Sequence, residues 1–106
     1  MYLVIIESPF AGDLERNRIY LDRCIRDCLA RGESPYASHR MLTAALDDAL
    51  PHERALGIEA GFAWRGVADA TVAYIDYGIS RGMQAGIDHA TKIGHPIERR
   101  AIGLNP

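Results

Sequence analysis

The run Ala70-Thr71-Val72-Ala73-Tyr74-Ile75-Asp76 passes directly into Tyr77-Gly78-Ile79-Ser80-Arg81-Gly82-Met83-Gln84-Ala85-Gly86. A β-branched, apolar segment that ends in an acid reads as a buried strand. The glycines that follow punctuate a loop, and Ser80 is placed to open a helix. A strand, a Gly/Ser loop and a helix N-terminus form a unit that offers backbone amides to a polar or anionic ligand.

The rest of the chain repeats the alternation. Tyr2 to Glu7 is a near-continuous apolar run and predicts a strand covered on both faces. Ser8-Pro9-Phe10-Ala11-Gly12-Asp13 breaks it, with Asp13 as N-cap of a helix over 14–31 whose stripe is Leu14, Leu21, Ile25 and Cys28. Gly32 stops that helix, and 34–38 predicts a short second strand. The segment 39–50 carries no clear period. Pro51 suits the first turn of a helix over 51–66. In that helix Leu56, Ala60, Ala63 and Val67 form one face, while Ile58 and Phe62 form another. A third strand over 70–76, a helix over 80–93 with Met83, Ile87 and Ala90 inward, and an edge strand over 96–101 complete the order β-α-β-α-β-α-β. Strands alternating with helices predict an α/β fold: a small parallel sheet in a three-layer domain, spanning 1–106 as one unit.

Composition narrows the function classes. At 106 residues the chain can bury roughly two-thirds of its unfolded surface, enough for a core without metal or disulfides. A net charge of −2 gives no broad attraction for a polynucleotide or an anionic membrane. The first strand lacks a basic flank and is too short to span a bilayer, so a cytoplasmic location is expected. Cys24 and Cys28 stand four apart and read as reduced thiols, one of them buried. The four histidines show no His-x-x-x-His spacing, and no metal is expected. No Gly-x-x-x-x-Gly-Lys or Gly-x-Gly-x-x-Gly loop is present, and Ser8 has no nucleophile-elbow context. No cofactor is called for.

In an open parallel sheet, ligands bind beyond the carboxyl ends of the strands. That edge collects Glu7, Ser8, Pro9, Phe10 and Asp13 from the first strand, Ser38 and His39 from the second, and Asp76, Tyr77, Gly78, Ser80 and Arg81 from the third. The amides of Gly82 and Met83 would point into the cleft beside Arg81, as a phosphate or carboxylate site or as an ordinary capped helix start. Glu7 and Asp76 each end a buried strand, where an acid is costly unless solvated or paired. They are candidates for binding hydroxyls or a base, or for general acid/base work. Asp13 and Glu15 fit the helix dipole, and Glu59 a solvent-facing position. His39 is the histidine placed for the cleft. The second apolar face of Ile58 and Phe62, with Trp64, predicts a homo-oligomer.

The first strand and loop, the third strand and the 78–86 loop and helix, in that order and spacing, resemble the nucleoside 2-deoxyribosyltransferase-like group. The resemblance covers most of the chain and implies a flavodoxin-like or Rossmann-like sheet. Active members cleave or exchange an N-glycosidic bond through a glutamate in a Gly-x-Glu-x-Gly segment of the third helix. The corresponding segment here is Gly82-Met83-Gln84-Ala85-Gly86, and a glutamine cannot form the same sugar ester. By position, Asp76 would contact the nucleoside, Ser80 a phosphate, and Ser8 to Phe10 the sugar and base. The resemblance therefore implies nucleoside or nucleotide binding with altered or lost bond cleavage. The alternatives are an enzyme that uses another carboxylate (Asp88, Glu59, Glu7 or Asp76) and a ligand-free interaction domain.

Overall fold

The computed structural model describes residues 1–104. Its element order is β1 (Tyr2–Glu7), α1 (Leu14–Ala30), β2 (Glu33–Tyr36), α2 (Ser38–Ala45), α3 (Pro51–Ala63), a 3-10 turn (Trp64–Gly66), β3 (Ala70–Tyr74), α4 (Arg81–Lys92) and β4 (Ile97–Arg100). The four strands form one sheet in the order β2-β1-β3-β4, and every pairing is parallel. The α/β parallel-sheet expectation is met.

Register sorts the strand residues into two faces. Val4 pairs with Ala70 and Ile6 with Val72, so these residues share a face. That face packs against Tyr20, Leu21, Cys24 and Cys28 of α1 in a single buried cluster. Ile5 pairs with Thr71 and Glu7 with Ala73 on the opposite face. Met83, Ile87 and Ala90 of α4 are buried, as the helical period predicts. Helices on both faces explain why β1 and β3 read as continuous apolar runs. Both cysteines are buried and free.

Several boundaries and faces differ from the sequence reading. Strand β2 covers Glu33–Tyr36 and β3 ends at Tyr74, so Asp76 lies in the following loop. The unread segment holds a helix, α2, which makes the order β-α-β-α-α-β-α-β. Leu14 is exposed, while Asn17 and Tyr20 are buried in α1. Asn17 is satisfied there because its Nδ2 donates to the carbonyls of Phe10 and Ala11. On α3, Leu56 is exposed, and so is Val67 beyond it, so that stripe does not face the core. Among the described residues, no helix is long and apolar enough to cross a membrane.

Candidate functional site

A cavity of about 310 Å³ opens at the carboxyl ends of β1 and β2. The end of β1 supplies Glu7, Ser8 and Phe10, and α4 supplies Ser80, Arg81, Gly82 and Met83 from its start. Helix α2 supplies Ser38, His39, Leu42 and Thr43, and α3 supplies Gly57, Ile58 and Phe62. The two helices meet closely because Gly61 has no side chain. A Cβ there would lie 2.8 Å from Ser38 Oγ.

Glu7 forms the charged floor. Its side chain is 15% exposed, and its Oε2 accepts from Arg65 Nη2 at 2.5 Å. Burial pushes the Glu7 carboxyl up, and the charge and hydrogen bond of Arg65 pull it only part of the way back. Gly86 also packs against this carboxylate, and a Cβ there would overlap it. The glycine is therefore required by close approach, not by its backbone angle.

Ser8 is buried, and its Oγ lies 2.7 Å from His39 Nε2. Burial first, and then the charge of Arg40, push the His39 imidazole down to about 4. The ring is neutral at pH 7 and shares one hydrogen bond with Ser8. At the start of α4, Ser80 Oγ accepts from the Met83 amide at 3.2 Å. The Ser80 hydroxyl thus caps its helix while Arg81 stands exposed at the cavity edge.

Of the residues picked from sequence, Glu7, Ser8, Phe10, His39, Ser80, Arg81, Gly82 and Met83 line one cavity. Pro9 is buried behind it, and Gly78 sits in the exposed turn after β3 with φ 82°. Asp76 is not at the cavity. It accepts from the Tyr20 hydroxyl at 2.6 Å and from the backbone amides of Ile102, Gly103 and Leu104. Burial pushes its carboxyl up, but those hydrogen bonds outweigh it and hold the carboxyl below the usual range. Gln84 also lies outside the cavity lining. It is exposed on α4, and its Nε2 donates to Asp88 at 2.8 Å.

Beyond Ser38 and His39, which the sequence reading places at the cleft, it missed the rest of the α2 wall, the α3 wall and Arg65. Phe62 was assigned to an outer face, yet it lines the cavity and stacks on His89 with ring centroids 4.1 Å apart. The i,i+4 spacing of Ile58 and Phe62 was the available signal, and both residues line the cavity. Among the described residues, no group of three or more His, Cys, Asp or Glu could hold a metal ion.

A family model described as a domain of unknown function (DUF7768) matches residues 2–100. No curated protein matches the chain. The fold is similar to the solved structure of a 2-deoxyribosyltransferase from the psychrotolerant bacterium Bacillus psychrosaccharolyticus, with a TM-score of 0.63 at 13% identity. The alignment covers 98% of this chain and 77% of that one. At that identity the likeness establishes a shared fold.

Proposed function

Because the chain belongs to the family described as a domain of unknown function (DUF7768), a description that carries no activity, we propose from the cavity that it binds a nucleoside or nucleotide. The observation that carries this reading is the Glu7 carboxylate. Among the described residues, hydrogen bonds engage its Oε2 alone, which leaves Oε1 to accept from a ligand hydroxyl or amine. Ser8 and His39 add a hydroxyl and an imidazole nearby. Phe10, Leu42, Leu46, Ile58 and Phe62 give apolar walls suited to a flat base. The volume lies at the small end of the ligand-pocket range of roughly 300–1,000 Å³, which suits one such molecule. The fold it shares with a 2-deoxyribosyltransferase supports the same ligand class.

In this reading N-glycosidic cleavage is altered or lost, since Gln84 stands where the resemblance puts the nucleophilic glutamate and is exposed outside the cavity lining. One observation favours a second reading in which cleavage persists. Gly86 leaves the space into which β1 delivers a carboxylate, so Glu7 could attack the sugar carbon as the C–N bond breaks and the base leaves, taking its proton from solvent water. Water would then release the sugar.

Titration calorimetry with nucleosides, deoxynucleosides and their 5′-monophosphates tests binding, with chromatography of the same mixtures for free base. Binding that weakens roughly 10–100-fold in Glu7→Gln supports the cavity. Base release by wild type, lost in Glu7→Gln, supports the second reading. No binding by any of these compounds would leave a ligand-free interaction domain.

The homo-oligomer reading rests on the apolar face of Ile58, Phe62 and Trp64, of which Ile58 and Trp64 are exposed, as are Leu56 and Val67. Sedimentation of wild type against Trp64→Asp tests it, and an unchanged profile with a monomeric mass would end it.

A further inference from the structure

We propose that Arg65 is a positioning residue. It takes one oxygen of Glu7, keeps that carboxylate ionised and turns the other oxygen toward the cavity. The proposal rests on the cavity reading above.

Arg65 lies in the 3-10 turn after α3, and its side chain is 1% exposed. Each guanidinium nitrogen has a partner. Nη2 donates to Glu7 Oε2, Nε donates to Thr71 Oγ1 at 3.0 Å, and Nη1 lies 3.5 Å from His89 Nδ1. The guanidinium carbon sits 5.4 Å from the Phe62 ring centroid. Thr71 is fully buried, and its Oγ1 lies 3.0 Å from His95 Nδ1. His95 Nε2 lies 2.9 Å from the Ala68 carbonyl.

Two of the proton directions along this chain follow from groups that can only donate or only accept. A carbonyl only accepts, so His95 Nε2 carries the hydrogen. Nδ1 is the ring atom within hydrogen-bond distance of the Thr71 hydroxyl. The Thr71 oxygen is left to accept from Arg65 Nε. The guanidinium is thus held from behind by β3 and by the residues flanking it, and it presents one fixed edge to Glu7.

A buried ion pair of this kind is weak evidence for stability, because apolar residues of similar volume commonly serve as well. What distinguishes this pair is its place: the carboxylate lines a cavity, while the arginine behind it is closed off. Gly86 also confines the Glu7 carboxylate. Other titratable or charged groups around the cavity are His39 from α2, Asp48 before α3, Glu53 and Arg54 from α3, and Arg81 from α4, while His89 of α4 lies against Arg65. Among the described residues, Arg65 alone forms an ion pair with Glu7.

The test reads Glu7 directly, without ligand. Carbon-13 NMR of labelled glutamate carboxyls is followed through pH in wild type, Arg65→Gln and Arg65→Lys, with Glu7→Gln to assign the signal. The midpoint of Glu7 should rise by roughly one to three pH units in Arg65→Gln, with Arg65→Lys in between. Losing a cation disfavours the charged carboxylate, so the shift must be upward. An unchanged midpoint in either variant overturns the proposal, whatever the cavity binds.

The second arm is calorimetry with 2′-deoxyadenosine across the same pH range. The affinity lost in Arg65→Gln should return above the new midpoint. An equal loss at every pH would mark Arg65 as merely structural. Failure of 2′-deoxyadenosine to bind wild type would count against the nucleoside reading, and the carboxyl titration would still decide the role of Arg65.

Discussion

The carboxylate of Glu7 occupies the space that a side chain at Gly86 would fill. Strand β1 and helix α4 are thereby coupled at one point, and the charged floor of the cavity depends on a missing methyl group. Gly86→Ala should displace Glu7 from Arg65 and weaken nucleoside binding at least tenfold. The helix itself gains roughly 1 kcal/mol in propensity from the change, offsetting part of the overpacking cost of about 1–3 kcal/mol. Thermal unfolding and calorimetry on the same variant would separate the two effects. Unaltered affinity would mean that Glu7 has another productive position.

His39 predicts an acid-sensitive wall. Its folded value near 4 lies below the unfolded value of 6.5, so the unfolded chain binds more protons between those limits. Its contribution to stability is complete above pH 6.5 and is lost as pH falls through the folded value. The shift is worth about 3 kcal/mol. Urea unfolding at pH 7 and pH 4.5 should show a smaller difference in His39→Gln than in wild type. Equal differences would assign the acid sensitivity to other groups.

Asp76 predicts stability without binding. Asp76→Ala removes the acceptor for three backbone amides and the Tyr20 hydroxyl, and should cost about 3 kcal/mol. Nucleoside affinity should stay within about twofold, since the residue is not in the cavity lining. Lost affinity in a folded Asp76→Ala protein would return this acid to the site.

Gly61 predicts a gap between α2 and α3. A Cβ there would meet Ser38 Oγ at 2.8 Å and Ser38 Cβ at 2.9 Å, and the latter cannot swing aside. Gly61→Ala should destabilise by about 1–3 kcal/mol and reshape the cavity. Adding Ser38→Gly should recover most of the ligand affinity. If the double variant binds no better than the single one, the close approach is not what sets the wall.

The elements with strong local signals were the ones legible in the sequence. β1 and β3 are unbroken apolar runs because both faces are covered, and Ser80 caps α4 as its position suggested. Helix α2 was hidden because its N-cap is Ala37, which makes no side-chain cap, and none of its residues is fully buried. Arg65 reads locally as a solvated cation at a helix end, and only tertiary pairing with Glu7 and Thr71 gives it another role. Asp76 misled for the opposite reason. An acid at the end of a buried strand looks free for a ligand, yet its backbone partners stand 26 to 28 residues further along the chain and Tyr20 stands 56 residues before it.

Helix α2 buries none of its residues, and α3 buries Gly61 alone. Little apolar area fastens these two helices to the sheet, so their free energy of opening should lie well below that of global unfolding. Their amides should exchange with deuterium long before those of β1 and β3. A molecule held between them and Glu7 would slow that exchange in proportion to its own binding energy. Amide protection along 38–63 would then report occupancy of the cavity even for a ligand that leaves no product.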